Sequence, residues 1–167
     1  KKEGNSYTIL NTVTAIDNNA FYDCDSLTEV TIPDAVESIG NEAFRHCNSL
    51  TTVTLGTNVK TVGNRAFEDC DKLTELTINS ANIESLGSYV FSGTASYITT
   101  LNVGAEVTAL NSTFYSFSGL KEINVDSGNE KYSSDNGVLY NREQTVLIRY
   151  PKKMERTSYT VVDGTEE

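Results

Sequence analysis

A phenylalanine that returns at nearly constant spacing constrains this chain more than any other feature. Phe21, Phe44, Phe67, Phe91 and Phe114 are separated by 23, 23, 24 and 23 residues. In the first three copies Ala precedes the Phe and Cys follows it three residues later, at Cys24, Cys47 and Cys70. A repeat period in the twenties marks a solenoid, in which each coil buries its apolar side only by stacking on its neighbours. The 167 residues therefore read as one continuous domain over residues 7–162. Residues 1–6 read as a disordered edge and 163–167 as a frayed end that continues in a longer protein.

Within each copy the pattern switches to alternation. Leu27-x-x-Val30-x-Ile32, Leu50-x-x-Val53-x-Leu55, Leu73-x-x-Leu76-x-Ile78 and Leu120-x-x-Ile123-x-Val125 are half-buried strand signals. Leu101-x-Val103 supplies the fourth strand after a one-residue insertion, and Tyr7-Thr8-Ile9 occupies the place that Val30-Thr31-Ile32 holds one period later. Aligned copies predict a parallel sheet along one side of a right-handed stack of about six coils. Ahead of each Phe runs Val13-x-x-Ile16-Asp17, Val36-x-x-Ile39-Gly40, Val59-x-x-Val62-Gly63, Ile83-x-x-Leu86-Gly87 or Val107-x-x-Leu110-Asn111. Asp, Gly and Asn tolerate a left-handed backbone, so a turn with positive φ is expected there, followed by a short helical turn that carries the Phe into an internal row. The fifth copy is one residue short in this turn, and the fourth and fifth replace the Cys by Thr94 and Phe117. The pattern changes after Val125. Gly137-Val-Leu-Tyr140 and Thr145-Val-Leu-Ile-Arg-Tyr150, stopped by Pro151, read as a β-hairpin inserted at about 129–151. Tyr159-Thr160-Val161 resembles the strand of a further coil, and neither end shows a polar cap.

The chemistry that can be ruled on from residues alone is sparse. Thirteen basic against 23 acidic side chains give a net charge of −10, which argues against nucleic acid and anionic membranes as partners. No apolar run reaches the ~20 residues of a membrane span. The three Cys fall on the repeat spacing, where in-register stacking makes their side chains parallel, so they read as buried free thiols. No Cys or His pair has metal-ligand spacing, and no cofactor is expected. His46, the one histidine, falls in a turn as a solvated side chain with no acid or nucleophile spaced to use it. Asp23/Asp25 and Asp69/Asp71 are two coils apart, with His46 and Asn48 between them, and read as turn-capping residues rather than a Ca²⁺ cage. Asn111-Ser-Thr113 fits an N-glycosylation acceptor, against which stands the turn role of Asn111.

The composite unit Ile39-Gly-x-x-Ala43-Phe44-x-x-Cys47-x-x-Leu50-x-x-Val53-x-Leu55, matched at 62–78 and 16–32, is similar to the BspA-like leucine-rich repeats of bacterial surface proteins. Ile32-Pro33 and the segment Asn129-x-x-Tyr132-Ser-Ser-Asp-Asn-Gly137-Val-Leu-Tyr140 carry the same resemblance. It implies a leucine-rich-repeat-like solenoid, α/β or mainly β, that is exported to the cell surface or secreted, has no catalytic site, and serves adhesion or host contact. A structural spacer in a cell-wall protein and a targeting segment of an enzyme stay open as other readings. The expected partner is a protein or polysaccharide, and the chain itself is expected to be monomeric. Strand alternation leaves two rows pointing outward as the candidate binding face: Glu29, Thr52, Glu75, Thr100 and Glu122 in one, and Thr31, Thr54, Thr77, Asn102 and Asn124 in the other, with Thr8 preceding the second.

Overall fold

The computed structural model describes residues 7–156, 158 and 160. The repeats read above become a stack of coils with a parallel sheet on one side. The five-stranded sheet has the order β2 (Glu29–Thr31), β4 (Thr52–Leu55), β6 (Glu75–Ile78), β8 (Thr100–Val103) and β9 (Glu122–Val125). Equivalent residues pair in register, Val30 with Val53, Val53 with Leu76, Leu76 with Leu101 and Leu101 with Ile123, so the inward apolar positions superpose coil upon coil. Tyr7–Ile9 lies outside this ladder: Ile9 is buried, but β2 is the edge strand.

A second parallel sheet was not legible as one. It consists of the two-residue strands β1 (Ala15–Ile16), β3 (Ser38–Ile39), β5 (Thr61–Val62) and β7 (Ser85–Leu86). Two residues are too few to display a period of two. Tight turns follow, with i to i+3 bonds such as Ala20 N to Asp17 O and Tyr22 N to Asn19 O. Among the described residues only the fifth coil makes a full helical turn, α1 (Ser112–Tyr115), whose N-cap Asn111 accepts from Thr113 N at 2.9 Å.

The expected left-handed residues are displaced. The positive φ values fall on Asn19, Glu42, Arg65 and Tyr89, two residues later than expected, and again on Asp23, His46, Asp69 and Gly93. Gly40, Gly63 and Gly87 are present for a different reason, which is contact. A Cβ on Gly63 would lie 2.5 Å from Gly40 C, and one on Gly87 2.6 Å from Gly63 C. The main chains of successive coils touch at this corner, and a side chain would force them apart.

Inside the stack, Phe21, Phe44, Phe67 and Phe91 lie nearly parallel, with ring centroids 4.8, 5.1 and 5.6 Å apart. The row bends at the fifth coil, where both Phe114 and Phe117 meet Phe91 edge-on, at 6.0 and 5.1 Å. Phe117 occupies the Cys position, and its bulk turns the row. Cys47 and Cys70 are fully buried, whereas Cys24 is only half-buried, which corrects the expectation of three buried thiols. The two fully buried thiols also have a bonding role: Cys47 Sγ lies 3.1 Å from Phe21 O, and Cys70 Sγ 3.2 Å from Phe44 O. Thr94 takes over that role in the fourth coil, its hydroxyl donating to Phe67 O at 2.7 Å.

The C-terminal insertion contains the expected hairpin, β11 (Val138–Asn141) with β12 (Leu147–Arg149), and β10 (Tyr132–Asp135) extends it to a three-stranded antiparallel meander. Asn136 and Gly137 both have positive φ, the requirement of the tight turn that matches strand twist. The meander and the segment after it engage the outer edge of β9. Gly137 O accepts from Ile123 N, Ser134 Oγ from Val125 N, and Leu120 O from Lys153 N. Fully buried Asn129 anchors its start, donating to Gly104 O and Val107 O and accepting from Lys131 N and Tyr132 N. The end of the core that showed no cap in the sequence is thus covered by Leu139, Tyr132 and Ile148. The expected edge at 1–6, the frayed end at 163–167 and, apart from Thr160, the further strand at Tyr159-Thr160-Val161 lie outside the described residues.

Replacing Phe67 by Ala is expected to cost roughly 3–5 kcal/mol in a denaturant melt, as large aromatic truncations in cores do. Gly63→Ala is expected to cost about 1–3 kcal/mol through overpacking at the coil corner; a melt unmoved by either change contradicts the stacking described. Burial pushes the Cys47 and Cys70 thiols up to about 12 from an ordinary 9.0, desolvation being the main cause. Both therefore stay protonated in the native protein at neutral pH, and thiol-reagent labelling should strike Cys24 first and reach Cys47 and Cys70 on unfolding. Because their folded values are raised, their contribution to stability is complete below about pH 9 and is lost as pH rises toward about 12.

Candidate binding face

Strand pleating alone decides what the five-stranded sheet presents to solvent. Side chains that alternate with the buried Val, Leu and Ile must point outward, and the register lines them up as Glu29, Thr52, Glu75, Thr100, Glu122 and as Thr31, Thr54, Thr77, Asn102, Asn124. The structure brings all ten together on one face. Thr8 does not join them, since it precedes the ladder rather than forming a strand in it.

The two halves of the face differ in their bonding. Toward the meander, Asn102 Nδ2 donates to Glu75 Oε1 at 2.7 Å and reaches Thr77 Oγ1 at 3.2 Å. Asn124 Nδ2 donates to Asn102 Oδ1 at 3.1 Å, and Thr100 Oγ1 to Glu122 Oε1 at 3.1 Å. Stacked amides thus bond along the sheet much as the backbone does beneath them. Glu29, Thr31, Thr52 and Thr54 make no side-chain hydrogen bond to any described residue. Their donors and acceptors face water. Three carboxylates, Glu29, Glu75 and Glu122, give the row an acidic character with no basic side chain among the ten positions.

The opposite, turn-bearing side carries a polar arrangement of its own. Asn18 Oδ1 accepts from Asn41 N, Asn41 Oδ1 from Asn64 N, and Asn64 Oδ1 from Ser88 N, each at 2.7 or 2.8 Å. These asparagines border an open groove of about 630 Å³ along the short strands, lined also by Ser38, Thr61 and Ser85. His46 is half-buried rather than fully solvated: its ring stands edge-on to Tyr22 at 5.6 Å, and Nδ1 lies 3.7 Å from Asp69 Oδ2. Asn48 Nδ2 donates to Asp25 Oδ1 at 2.9 Å, which ties that aspartate into the stack. Among the described residues no group of three or more His, Cys, Asp or Glu side chains could hold a metal ion. The repeated asparagine bond was visible only as a position after Asp or Gly; nothing in a single copy says that its partner is the next coil.

Six copies of the BspA type leucine rich repeat region match the chain over residues 14–145. The chain belongs to this family. Among solved structures, a leucine-rich repeat protein from Eubacterium ventriosum is 26% identical with a TM-score of 0.54, over 84% of this chain and 43% of that one. Another from Bacteroides ovatus is 25% identical with a TM-score of 0.52, over 68% of this chain and 28% of that one. A leucine rich cell surface protein from Faecalibacterium prausnitzii is 25% identical with a TM-score of 0.43, over 92% of this chain and 54% of that one. This chain therefore spans about a quarter to a little over half of the length of these solved relatives. No curated protein matches the chain. BspA-type membership places the chain with bacterial cell-surface or secreted leucine-rich repeat proteins. Among the described residues no helix is long and apolar enough to cross a membrane.

The unequal bonding along the BspA-type sheet is measurable. Asn102→Ala is expected to cost about 0.5–1.5 kcal/mol of stability, the net worth of an ordinary hydrogen bond. Thr54→Ala, with no bond to lose, should stay within about 0.5 kcal/mol of zero. Equal effects in paired denaturation curves would show that the two halves of the face are not distinguished in this way.

Proposed function

We propose that this chain is a non-enzymatic binding or adhesion module that contacts a protein or polysaccharide through its five-stranded sheet face. The observation that carries the reading is the unsatisfied half of that face. Glu29, Thr31, Thr52 and Thr54 offer hydroxyls and a carboxylate in straight rows, with the spacing of neighbouring strands, about 4.8 Å. A flat, regular, acidic surface of this kind suits an extended partner with repeating donors, such as a chain of sugar hydroxyls or a segment bearing basic side chains. Affinity per copy would be low, and several copies on one longer protein would raise it through effective concentration.

The second reading, a spacer that holds another domain away from the cell wall, draws on the other half. There Asn102, Asn124 and Thr100 donate to neighbours within the sheet and Thr77 accepts from Asn102, as on a face that needs no ligand. The two readings part in a binding screen against immobilised host-surface glycans and extracellular-matrix proteins. The module reading expects capture by one class, with Thr31→Lys, Thr52→Lys and Thr54→Lys together weakening it by about tenfold or more, roughly 1.4 kcal/mol. Unchanged affinity in a folded triple variant removes this face from consideration, and no capture across the panel favours the spacer.

A further inference from the structure

Main-chain bonding between successive coils on the turn side follows one rule three times. From the first coil to the second, Ile16 O accepts from Gly40 N, while Asn19, Phe21 and Asp23 donate to Asn41 O, Ala43 O and Arg45 O. From the second to the third, Ile39 O accepts from Gly63 N, while Glu42, Phe44 and His46 donate to Asn64 O, Ala66 O and Glu68 O. From the third to the fourth, Val62 O accepts from Gly87 N, while Arg65, Phe67 and Asp69 donate to Ser88 O, Val90 O and Ser92 O. At the next step the rule fails. Leu86 O and the N–H groups of Tyr89, Phe91 and Gly93 hold the same four places, and none has a hydrogen-bond partner among the described residues.

The failure has a cause in the sequence. The fifth copy lacks one residue between Leu110 and Phe114, Asn111 caps α1 instead of continuing the turn, and Phe117 turns the aromatic row edge-on. The fourth and fifth coils part on this side and leave a cleft of about 660 Å³, within the range of natural ligand sites. Phe91 and Phe117 line it from below, Ser112, Thr113 and Ser116 form one wall, and Tyr89 stands at its lip, 67% exposed.

We propose that this cleft receives a polypeptide segment of a partner protein, which adds to the fourth coil along the turn path that a further coil would take. The edge presents one acceptor followed by three donors at alternate residues. That pattern is complementary to a main chain offering one N–H and then carbonyls one, three and five residues on, which is how Gly63, Asn64, Ala66 and Glu68 seat on the second coil. As where a strand adds to an open sheet edge, the affinity is supplied by main-chain hydrogen bonds. A sugar can satisfy single donors, but it does not repeat one acceptor and three donors at this periodicity. The site is separate from the sheet face.

The test uses the whole chain, ¹⁵N-labelled, titrated with a blocked peptide of residues Val62–Asp69, with the same peptide N-methylated at Gly63, and with cellohexaose. The expected result is chemical-shift change and about tenfold slower amide exchange at Tyr89, Phe91 and Gly93 with the unmodified peptide, weakened by N-methylation, as main-chain recognition requires. Thr113→Trp, on an exposed wall residue, should crowd the cleft and weaken the peptide about tenfold while leaving the spectrum of the remaining coils unchanged. The proposal is overturned if the peptide leaves these three amides unmoved, if N-methylation makes no difference, or if cellohexaose alone produces the shifts.

Discussion

Every part of this protein depends on the hydrogen bonds that one coil gives to the next. A coil of this length has no hydrophobic centre of its own, and its turns expose main-chain donors that must be met. The next coil meets them on two parallel ladders and along the turns, and this sets a common spacing. The three glycines at the coil corner, the asparagine amides that cap the next turn, and the Cys and Thr side chains that reach back to a Phe carbonyl all serve that spacing. The Phe row follows from it, since rings carried at equal heights are stacked about 5 Å apart.

The sequence was most legible where the chemistry of one position repeats at the same place in every copy. The register of Val30, Val53, Leu76, Leu101 and Ile123 and the ten outward positions could be read because alternation over four to six residues leaves no freedom about which side chain faces in. The role of Gly63 could not, because glycine serves both left-handed turns and close contacts, and only the neighbouring coil decides between them. Arg65 and Glu42 adopt the left-handed conformation that was expected of their glycines. β10 was missed because Tyr132-Ser-Ser-Asp135 has no apolar alternation; pairing with β11 and docking on β9 make it a strand. Cys24 was placed too deep because the reading treated all copies as interior ones.

The same bookkeeping of backbone bonds separates the two surfaces of interest. On the sheet face the main chain is satisfied, and what remains for a partner is side-chain chemistry, unspent at Glu29, Thr31, Thr52 and Thr54. At the fourth coil the side chains are mostly small or apolar, and it is the main chain that is unspent. Departures from the repeat, a missing residue before Phe114 and an aromatic at 117, therefore carry more functional information than the repeats themselves. Regular copies create the scaffold; the irregular one opens it.

Residue-resolved amide hydrogen exchange in the free protein tests this account most directly, because local exposure of a backbone bond is what exchange reports. Arg65, Phe67 and Asp69, whose N–H groups are taken by the fourth coil, should be strongly protected, while Tyr89 and Gly93, their counterparts one coil later, should exchange at rates close to those of open loops. Equal protection of the two sets would contradict the claim that the turn-side ladder between coils stops at the fourth coil.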